Sequence, residues 1–250
     1  MDEVDIEVVA DVELDDPVLV EGLPGVGLVG KIATDHLVEQ YDMTFVASVE
    51  ADARRGAAVY AGGEYDPLPP VRLYADEERD LLALQSDVPV NRRTASAFAD
   101  CVTEWVANAD ATPLYLSGTP VQTDDPGHVP EVFGVATGDG DALLDANDID
   151  APSEPGLVGG PTGALLNRAG VHDLDGVGLV VESDPQFPDP AAAAQLLERG
   201  VDPIASVDAA TGGLVEQAEQ IREQKRRLAE QMGRADEAES TQAGSMRMFE

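Results

Sequence analysis

The chain has 250 residues, 43% of them hydrophobic, which is enough for the core of one sizeable α/β domain with a helical appendage. It carries 49 Asp and Glu against 15 Lys and Arg, a formal net charge of -34. This charge excludes direct nucleic-acid binding, because neutralising phosphates requires a basic face. The single cysteine, Cys101, excludes an internal disulfide and a cysteine-rich zinc site.

The acidic residues occur in nearly every segment, and only Lys31 and Lys225 are lysines. Such a surface repels itself in dilute buffer, but at about 1 M salt the Debye length falls to about 3 Å and the repulsion is screened. The pattern therefore predicts a halophilic protein adapted to a salty cytoplasm. The alternative, an acidic surface for one basic partner, would concentrate the charge in a localised patch.

The sequence also predicts a soluble, cytoplasmic protein. The N-terminus is acidic and does not resemble a signal peptide. No apolar run approaches the length of a membrane span, so we expect no contact with a membrane.

The N-terminal half predicts parallel strands covered by helices, followed by a short antiparallel section. A strand at 17–21, a glycine-rich turn at 22–30, a helix at 31–41 and a strand at 43–49 are typical of an open sheet. Three short segments then predict a half-exposed antiparallel meander. These segments are residues 57–60, 71–74 and 81–84.

The next segments continue the alternation of helices and strands. A helix is predicted over 91–108 with Asn91 as its N-cap, followed by a strand at 114–116. Further predicted elements are a strand at 131–136, a short helix or loop at 139–149, a strand at 156–158, a helix at 164–169 and a strand at 177–181. A last helix at 190–199 is predicted to begin at an Asp189 cap and to end at Gly200.

From Gly213 the pattern changes to apolar residues spaced by four and three, which predicts a coiled-coil-like helix that packs on another helix or subunit. Its seam contains Leu214, Ala218, Ile221, Lys225, Leu228 and Met232. We therefore divide the chain into an α/β domain at 1–211, a C-terminal helix at 212–233 and a flexible acidic tail at 234–250.

The segment from Gly25 to Gly30 matches G-x-G-x-x-G, and with Lys31 it also matches G-x-x-x-x-G-K. These motifs are typical of dinucleotide sites and P-loops. However, Ile32 replaces the Ser or Thr that a P-loop needs for magnesium, and Pro24 removes one amide donor. The pattern therefore favours small residues that let a helix pack closely on a sheet, with dinucleotide or NTP binding as the alternatives.

Residues 19–30, which contain Gly-Leu-Pro-Gly-Val-Gly-Leu-Val-Gly, resemble the signature of the PAC2 family, which includes proteasome assembly chaperones. Residues 159–166 resemble the second glycine motif of that family, and residues 182–193 its acid-proline stretch before a helix. The three motifs occur in the family's order. With the charge pattern, they identify the chain as a haloarchaeal-type member.

The resemblance implies a three-layer α/β/α domain with a mixed sheet and a homo-oligomer that binds proteasome subunits as a non-enzymatic assembly chaperone. It also implies a docking role for a C-terminal hydrophobic-Tyr-any tripeptide. Here Met248, Phe249 and Glu250 occupy those positions, with Phe in place of Tyr. A free carboxylate beside an aromatic anchor suits an intersubunit pocket, whereas the alternative is a frayed chain end.

The sequence offers one further candidate site, a crevice beyond the carboxyl ends of the strands. The three histidines are not spaced as metal ligands and no base accompanies a candidate nucleophile, so we assign no catalytic residue, metal or cofactor. The alternative function is a small-molecule or nucleotide-binding enzyme, ATP-grasp-like or dinucleotide-dependent. Its crevice would be lined by Gly22, Pro24, Gly25, Gly27, Gly30, Ser117, Gly159, Gly160, Thr162, Gly163 and Glu182.

Overall fold

The structure, a computed structural model, describes residues 4–51, 57–60, 65–122, 128–221 and 223. The chain divides into two compact units, Met1–Thr211 and Gly212–Glu250. In the second unit, residues 212–221 and 223 are helical. The rest of the predicted coiled-coil-like helix, the tail and the C-terminal tripeptide lie outside the described residues.

The first unit contains a mixed sheet with eight strands among the described residues, in the order β1-β3-β4-β5-β2-β6-β8-β7. Strands β5, β2, β6 and β8 run parallel at its centre, while β1, β4 and β7 run antiparallel to their neighbours. The strands are β1 Val4–Val8, β2 Val18–Gly22, β3 Thr44–Ala51, β4 Val71–Asp76, β5 Leu81–Ser86, β6 Thr112–Pro120, β7 Val132–Thr137 and β8 Gly176–Ser183.

Helices cover both faces of this sheet. The helices are α1 Val29–Gln40, α2 Ala95–Asn108, α3 Asp141–Ala146, α4 Gly160–Val171, α5 Pro190–Leu196 and α6 Asp202–Ala205. Helices α1 and α5 pack together on one face, and α2 and α4 pack together on the other. A 3₁₀ turn at Val26–Leu28 precedes α1, and a π-helical segment at Leu197–Val201 joins α5 to α6. Within the described residues, no helix has the length and apolar character needed to cross a membrane.

The central strands are buried because helices cover them on both sides, which is why they consist of nearly continuous apolar runs. In β2, Leu19 packs into the cluster with Phe98 and Val102 of α2, and Tyr115 of β6 joins it. Side chains alternate along a strand, so Val20 and Gly22 point to the opposite face, where Gly22 meets α1. This alternation fixes which residues of each motif share a face.

The α/β class and the mixed sheet are confirmed. The predicted strands that correspond to β2 through β8 are confirmed as well. The edge strand β1 was not predicted, because its alternating acids look like a solvated terminus. The strand predicted at 156–158 is wrong: the segment is irregular and Leu157 is 93% exposed. Strand β7 already occupies the edge of β8 that such a strand would need.

Two boundary predictions are also corrected. Helix α2 begins after Thr94, since Asn91 accepts the Arg93 N–H in a preceding turn. Gly200 does not end the helix that follows Asp189. It lies inside the π-helical segment, where a Cβ would come within 2.7 Å of Leu179, and the helical run continues to Ala205.

The predicted antiparallel meander is corrected in two respects. Residues 57–60 form an isolated bridge, Val59 with Leu68, and not a strand. Strand β4 is buried along most of its length instead of half-exposed. Its Leu73 side joins the core, and Arg72 on the other side is buried because Asp87, Gln85 and Tyr74 satisfy its guanidinium.

Candidate functional site

The glycine-rich turn joins β2 to α1 with very little space between helix and sheet. A Cβ at Gly22 would lie 2.0 Å from Thr34 Oγ1 and 2.4 Å from the Gly30 carbonyl. A Cβ at Gly30 would lie 3.2 Å from the Leu116 backbone and Cβ. The hydroxyl of Thr34 donates to the Gly30 carbonyl at 3.0 Å, which ties the first turns of α1 together. These two glycines therefore let α1 contact β2 and β6 directly.

The loop after β8 closes over the middle of the turn. Gly27 has φ +61°, and a Cβ there would lie 1.9 Å from Ser183 Oγ. The Asp189 N–H donates to the Gly27 carbonyl at 2.8 Å, and Ser183 Oγ donates to the Asp189 carboxylate at 3.1 Å. The same carboxylate caps α5 by accepting the Ala192 N–H. Side chains from β8 and its loop thus occupy the space beside the turn.

This arrangement is unfavourable for a phosphate group. The Leu28 N–H donates to the Gly25 carbonyl at 3.1 Å, so that amide is already used within the turn. The Asp189 carboxylate beside Gly27 would repel an anion. Phosphate sites at helix N-termini need free amides and no competing negative charge.

Lys31, the lysine of the P-loop-like pattern, is held in a charged cluster. Its ammonium lies 2.9 Å from Asp35 and 3.0 Å from Asp87, and Arg72 pairs with Asp87 at 2.5 Å. Burial opposes the charge of Lys31, but the two carboxylates outweigh it and raise the Lys31 pKa. Likewise, burial of Asp87 is outweighed by hydrogen bonds from Lys31 and Arg72, which lower the Asp87 pKa. The lysine is therefore paired with carboxylates.

A buried carboxyl group lies at the carboxyl end of β2, on the face covered by α4. Glu21 is fully buried, and its Oε1 accepts hydrogen bonds from Thr162 Oγ1 at 2.9 Å and from the Leu23 N–H at 3.1 Å. Burial raises the pKa of Glu21 from 4.5 to about 7, although the hydrogen bonds from Thr162 and Leu23 and the nearby backbone of Leu116 oppose the shift. Burial therefore favours the protonated form of this carboxyl group.

Tyr115 of β6 faces the same buried space. Burial, and to a lesser degree the Glu21 charge, raises the Tyr115 pKa. Among the described residues, Glu21 Oε2 and Tyr115 OH are both buried without a hydrogen-bond partner. Sequence reasoning missed this pair. The available signal was an acid at the end of the apolar strand predicted at 17–21.

The predicted crevice residues lie near the carboxyl ends of the parallel strands, but on two faces of the sheet. Gly22, Gly27 and Gly30 face α1 and the loop after β8, whereas Thr162 meets Glu21 on the α4 face. Gly118 was not among the predicted residues, yet a Cβ there would lie 2.6 Å from the Val26 carbonyl, so it also keeps the turn close to β6.

The remaining predicted residues are more open or have other partners. Gly25 has little beyond the Leu23 carbonyl near its Cβ position, and Gly159 and Gly160 have no atom within 4 Å of theirs. Pro24 and Ser117 are half-buried, the latter in register with Val180 of β8, and Gly163 packs on the Val158 carbonyl. Glu182 Oε2 accepts the Glu131 N–H at 3.1 Å and lies 3.0 Å from His128 Nε2.

Two further features of the molecule bear on other kinds of site. Across the described ranges, no three His, Cys, Asp or Glu side chains cluster in a way that would hold a metal ion. An apolar pocket of about 270 Å³ lies at the opposite end of the central strands, near the start of β2. Its lining includes Val8, Leu14, Val46, Leu82 and Trp105.

The fold and the motifs agree with comparisons to known proteins. Residues 19–229 match the sequence model of the PAC2 family. The chain is 28% identical over 222 residues to the uncharacterized protein MJ0106 of Methanocaldococcus jannaschii, covering 89% of each chain.

Two solved structures from Pyrococcus furiosus have the same fold. PbaA, an archaeal homolog of proteasome-assembly chaperone, is 26% identical, with a TM-score of 0.77 and coverage of 93% of this chain and 99% of PbaA. PbaB, an archaeal proteasome activator, is 22% identical, with a TM-score of 0.77 and coverage of 92% and 100%. At that identity the likeness to PbaB shows the fold alone.

Proposed function

Because the chain belongs to the PAC2 family, we propose that it is a non-enzymatic assembly chaperone-like or proteasome-binding protein that acts as a homo-oligomer. The observation that carries this proposal is the similarity to PbaA, which spans 93% of this chain at 26% identity. The partner would be a proteasome subunit.

The geometry of the glycine motif supports a scaffolding role for it. The residues that look like a cofactor loop are used to join α1 to β2, β6 and the loop after β8. Lys31 is paired with Asp35 and Asp87. A motif used in this way suits a protein that functions through its surface.

Binding to proteasome α subunits tests the proposal. Purified archaeal α subunits are immobilised and the full chain is applied at about 1 M KCl, where exposed charges are screened. We expect retention of the full chain, and light scattering is expected to show an oligomer. If purified α subunits fail to retain the chain, the proposal is wrong.

The C-terminal mechanism needs its own comparison. We propose that Met248, Phe249 and Glu250 contribute to docking, so a chain lacking them should bind more weakly. A chain lacking Gln242, Ala243 and Gly244 serves as the matched control, because it shortens the tail equally but keeps the terminal tripeptide. Equal binding by both deletion variants and the full chain would remove the tail mechanism and leave the function standing.

We also propose that the acidic surface is an adaptation to high salt, of the kind expected in a haloarchaeal-type member. The net charge of -34 and the distribution of acids along the whole sequence support it.

A second candidate function is a small-molecule or nucleotide-binding enzyme, and the pKa of Glu21 near 7 is the observation that favours it. Against it, Glu21 is fully buried and Asp189 lies beside the glycine turn. A thermal shift assay with NAD and with ATP separates the two functions, because a ligand of the native state raises the melting temperature by mass action. We expect no shift with either compound, and a reproducible, saturable rise would favour the enzyme.

A further inference from the structure

A strap formed by residues 9–17 joins the edge strand β1 to the central strand β2. Strands β3, β4 and β5 lie between β1 and β2 in the sheet, so the strap crosses the ends of three strands. Its Ala10, Val12 and Leu14 are partly buried against the core cluster, whereas the acids between them are exposed. The strap therefore turns its aliphatic side chains toward the sheet and its carboxylates toward solvent.

Hydrogen bonds hold the strap at both ends. Near β1, the Val9 N–H donates to the Val46 carbonyl of β3 at 2.8 Å. Near β2, the Asp15 N–H donates at 2.8 Å to the carboxylate of Asp80, in the turn between β4 and β5. Moving the strap inward would break these bonds, and a backbone N–H that is buried without a partner is costly. The hydrogen bonds therefore oppose a collapse of the strap onto the sheet.

The apolar pocket of about 270 Å³ lies along this strap. The strap contributes Ala10 to its lining, β3 and β5 contribute Val46 and Leu82, and the end of α2 contributes Trp105 and Ala109. An apolar cavity of about 150 Å³ is large enough to bind benzene. The strap pocket therefore has room for a ring that carries a substituent.

Two apolar side chains of the lining remain partly in contact with solvent. Val8 is 57% exposed, and Trp105 is half-buried. A molecule bound in the strap pocket would cover part of both side chains. Removing apolar surface from water is favourable, so this burial would contribute to binding.

The lining decides which charge a ligand can carry. Asp11 is the one charged residue in the described lining, which contains no Lys, Arg or His. A carboxylate or phosphate group that entered the pocket would lose its hydration without gaining a basic partner. Asp11 is exposed, so its carboxylate stays in water and offers no buried partner to a cation. The strap pocket therefore suits an uncharged molecule.

We propose that the strap pocket binds an uncharged, apolar small molecule with a single ring. The site lies at the opposite end of the central strands from the glycine turn. It goes beyond the function proposed above and does not depend on it.

The chain carries its own reporter for this site, because Trp105 is its one tryptophan. The full chain in about 1 M KCl at neutral pH is titrated with cyclohexylmethanol while the Trp105 emission is recorded. We expect a saturable change in emission and a saturable rise in the melting temperature. Cyclohexanecarboxylate and cyclohexylmethylammonium carry the same ring with a charge, and each should bind at least about tenfold more weakly.

Two variants fill the strap pocket from different walls. Ala109→Leu adds a larger side chain at the end of α2, and Ala10→Leu adds one on the strap. Ala107→Leu is the matched control, because Ala107 is exposed on α2 and is not part of the described lining. We expect each filling variant to weaken binding of the alcohol by at least about tenfold, and the control by less than about twofold.

Three results would overturn the inference. One is the absence of any saturable change in emission and in melting temperature when the wild-type chain is titrated with the alcohol. Another is unchanged binding by both filling variants, provided that their melting temperatures stay within about 4 °C of wild type. The third is a charged analogue that binds as tightly as the alcohol. If the filling variants are less stable than that limit, the wild-type titrations with the three compounds decide.

Discussion

The fold buries the carboxyl group of Glu21 near the end of the otherwise apolar strand β2. Glu21 keeps two hydrogen bonds to one oxygen, from Thr162 and Leu23. Its second oxygen has no partner among the described residues. Burying a charged carboxylate is costly, so the protonated form is favoured in the folded protein. The residue therefore links the stability of the β2–α4 contact to pH.

We predict that this link is measurable. The Glu21 pKa is about 7 in the folded protein against 4.5 for the unperturbed group, so its contribution to stability is fully present below pH 4.5 and is lost as the pH rises through about 7. Glu21→Gln remains neutral at every pH. It should reduce the loss of unfolding free energy between pH 5 and pH 8 by about 2–3 kcal/mol, measured by urea unfolding at fixed salt.

The comparison must allow for a second titrating carboxyl group, and it needs a control variant. Burial also raises the pKa of Asp202, to about 6, so part of the pH dependence remains in the variant. Glu154→Gln changes the formal charge equally at an exposed position and should keep the wild-type pH profile. An identical pH profile for Glu21→Gln and wild type would show that Glu21 does not titrate in this range.

At the scale of elements, the glycine turn sets how closely α1 approaches the sheet. Gly22 and Gly159 belong to the same predicted crevice, but only Gly22 is enclosed by neighbouring atoms. Position 159 is open, and its φ of -106° suits any residue. The two glycines therefore have different physical roles.

We predict that Gly22→Ala and Gly159→Ala separate these roles. The new Cβ at position 22 meets the Gly30 carbonyl, which is backbone and cannot rotate away, so the free energy of unfolding should fall by about 2–3 kcal/mol. The same change at 159 should stay within about 0.5 kcal/mol of wild type. Chemical denaturation measures both, and equal effects would contradict the packing role of the turn.

Local patterns were sufficient for the central elements and insufficient where distant segments meet. Apolar runs predicted β2, β6 and β8 because parallel strands buried on both faces have a distinctive composition. Asp189 was predicted as a cap because capping depends on the next three residues. In contrast, the contact of Ser183 with Gly27 and that of Glu21 with Thr162 join residues more than 140 positions apart, which no local pattern encodes.

Helix ends show the same limit. Gly200 looks like a helix stop signal. However, its lack of a side chain allows close packing against Leu179, and the helical run continues past it. Asn91 looks like the N-cap of α2, but its side chain forms a turn before the helix, which begins after Thr94. At Gly200 tertiary packing overrides a local preference that is worth only about 1 kcal/mol, and at Asn91 a local turn does so.

For the whole molecule, the dominant electrostatic feature is a net charge of -34 on 250 residues. Repulsion among surface carboxylates raises the free energy of the compact state, because folding brings them closer than they are in the extended chain. A few carboxylates are paired, such as Asp35 and Asp87 with Lys31, but the chain has only 15 basic residues to offer. We therefore expect dissolved ions to reduce most of the repulsion.

We predict that stability rises steeply with salt. From about 0.1 M to about 1 M KCl the Debye length falls from about 10 Å to about 3 Å, which removes most of the repulsion between neighbouring surface charges. The melting temperature should rise on the order of 10 °C over this range, equivalent to about 3 kcal/mol for a domain of this size. Repeating the titration near pH 4.5, where many carboxylates are protonated, should give a smaller rise. A melting temperature that is independent of KCl at pH 7 would contradict the salt adaptation, and the acidic residues would then need a basic partner as their explanation.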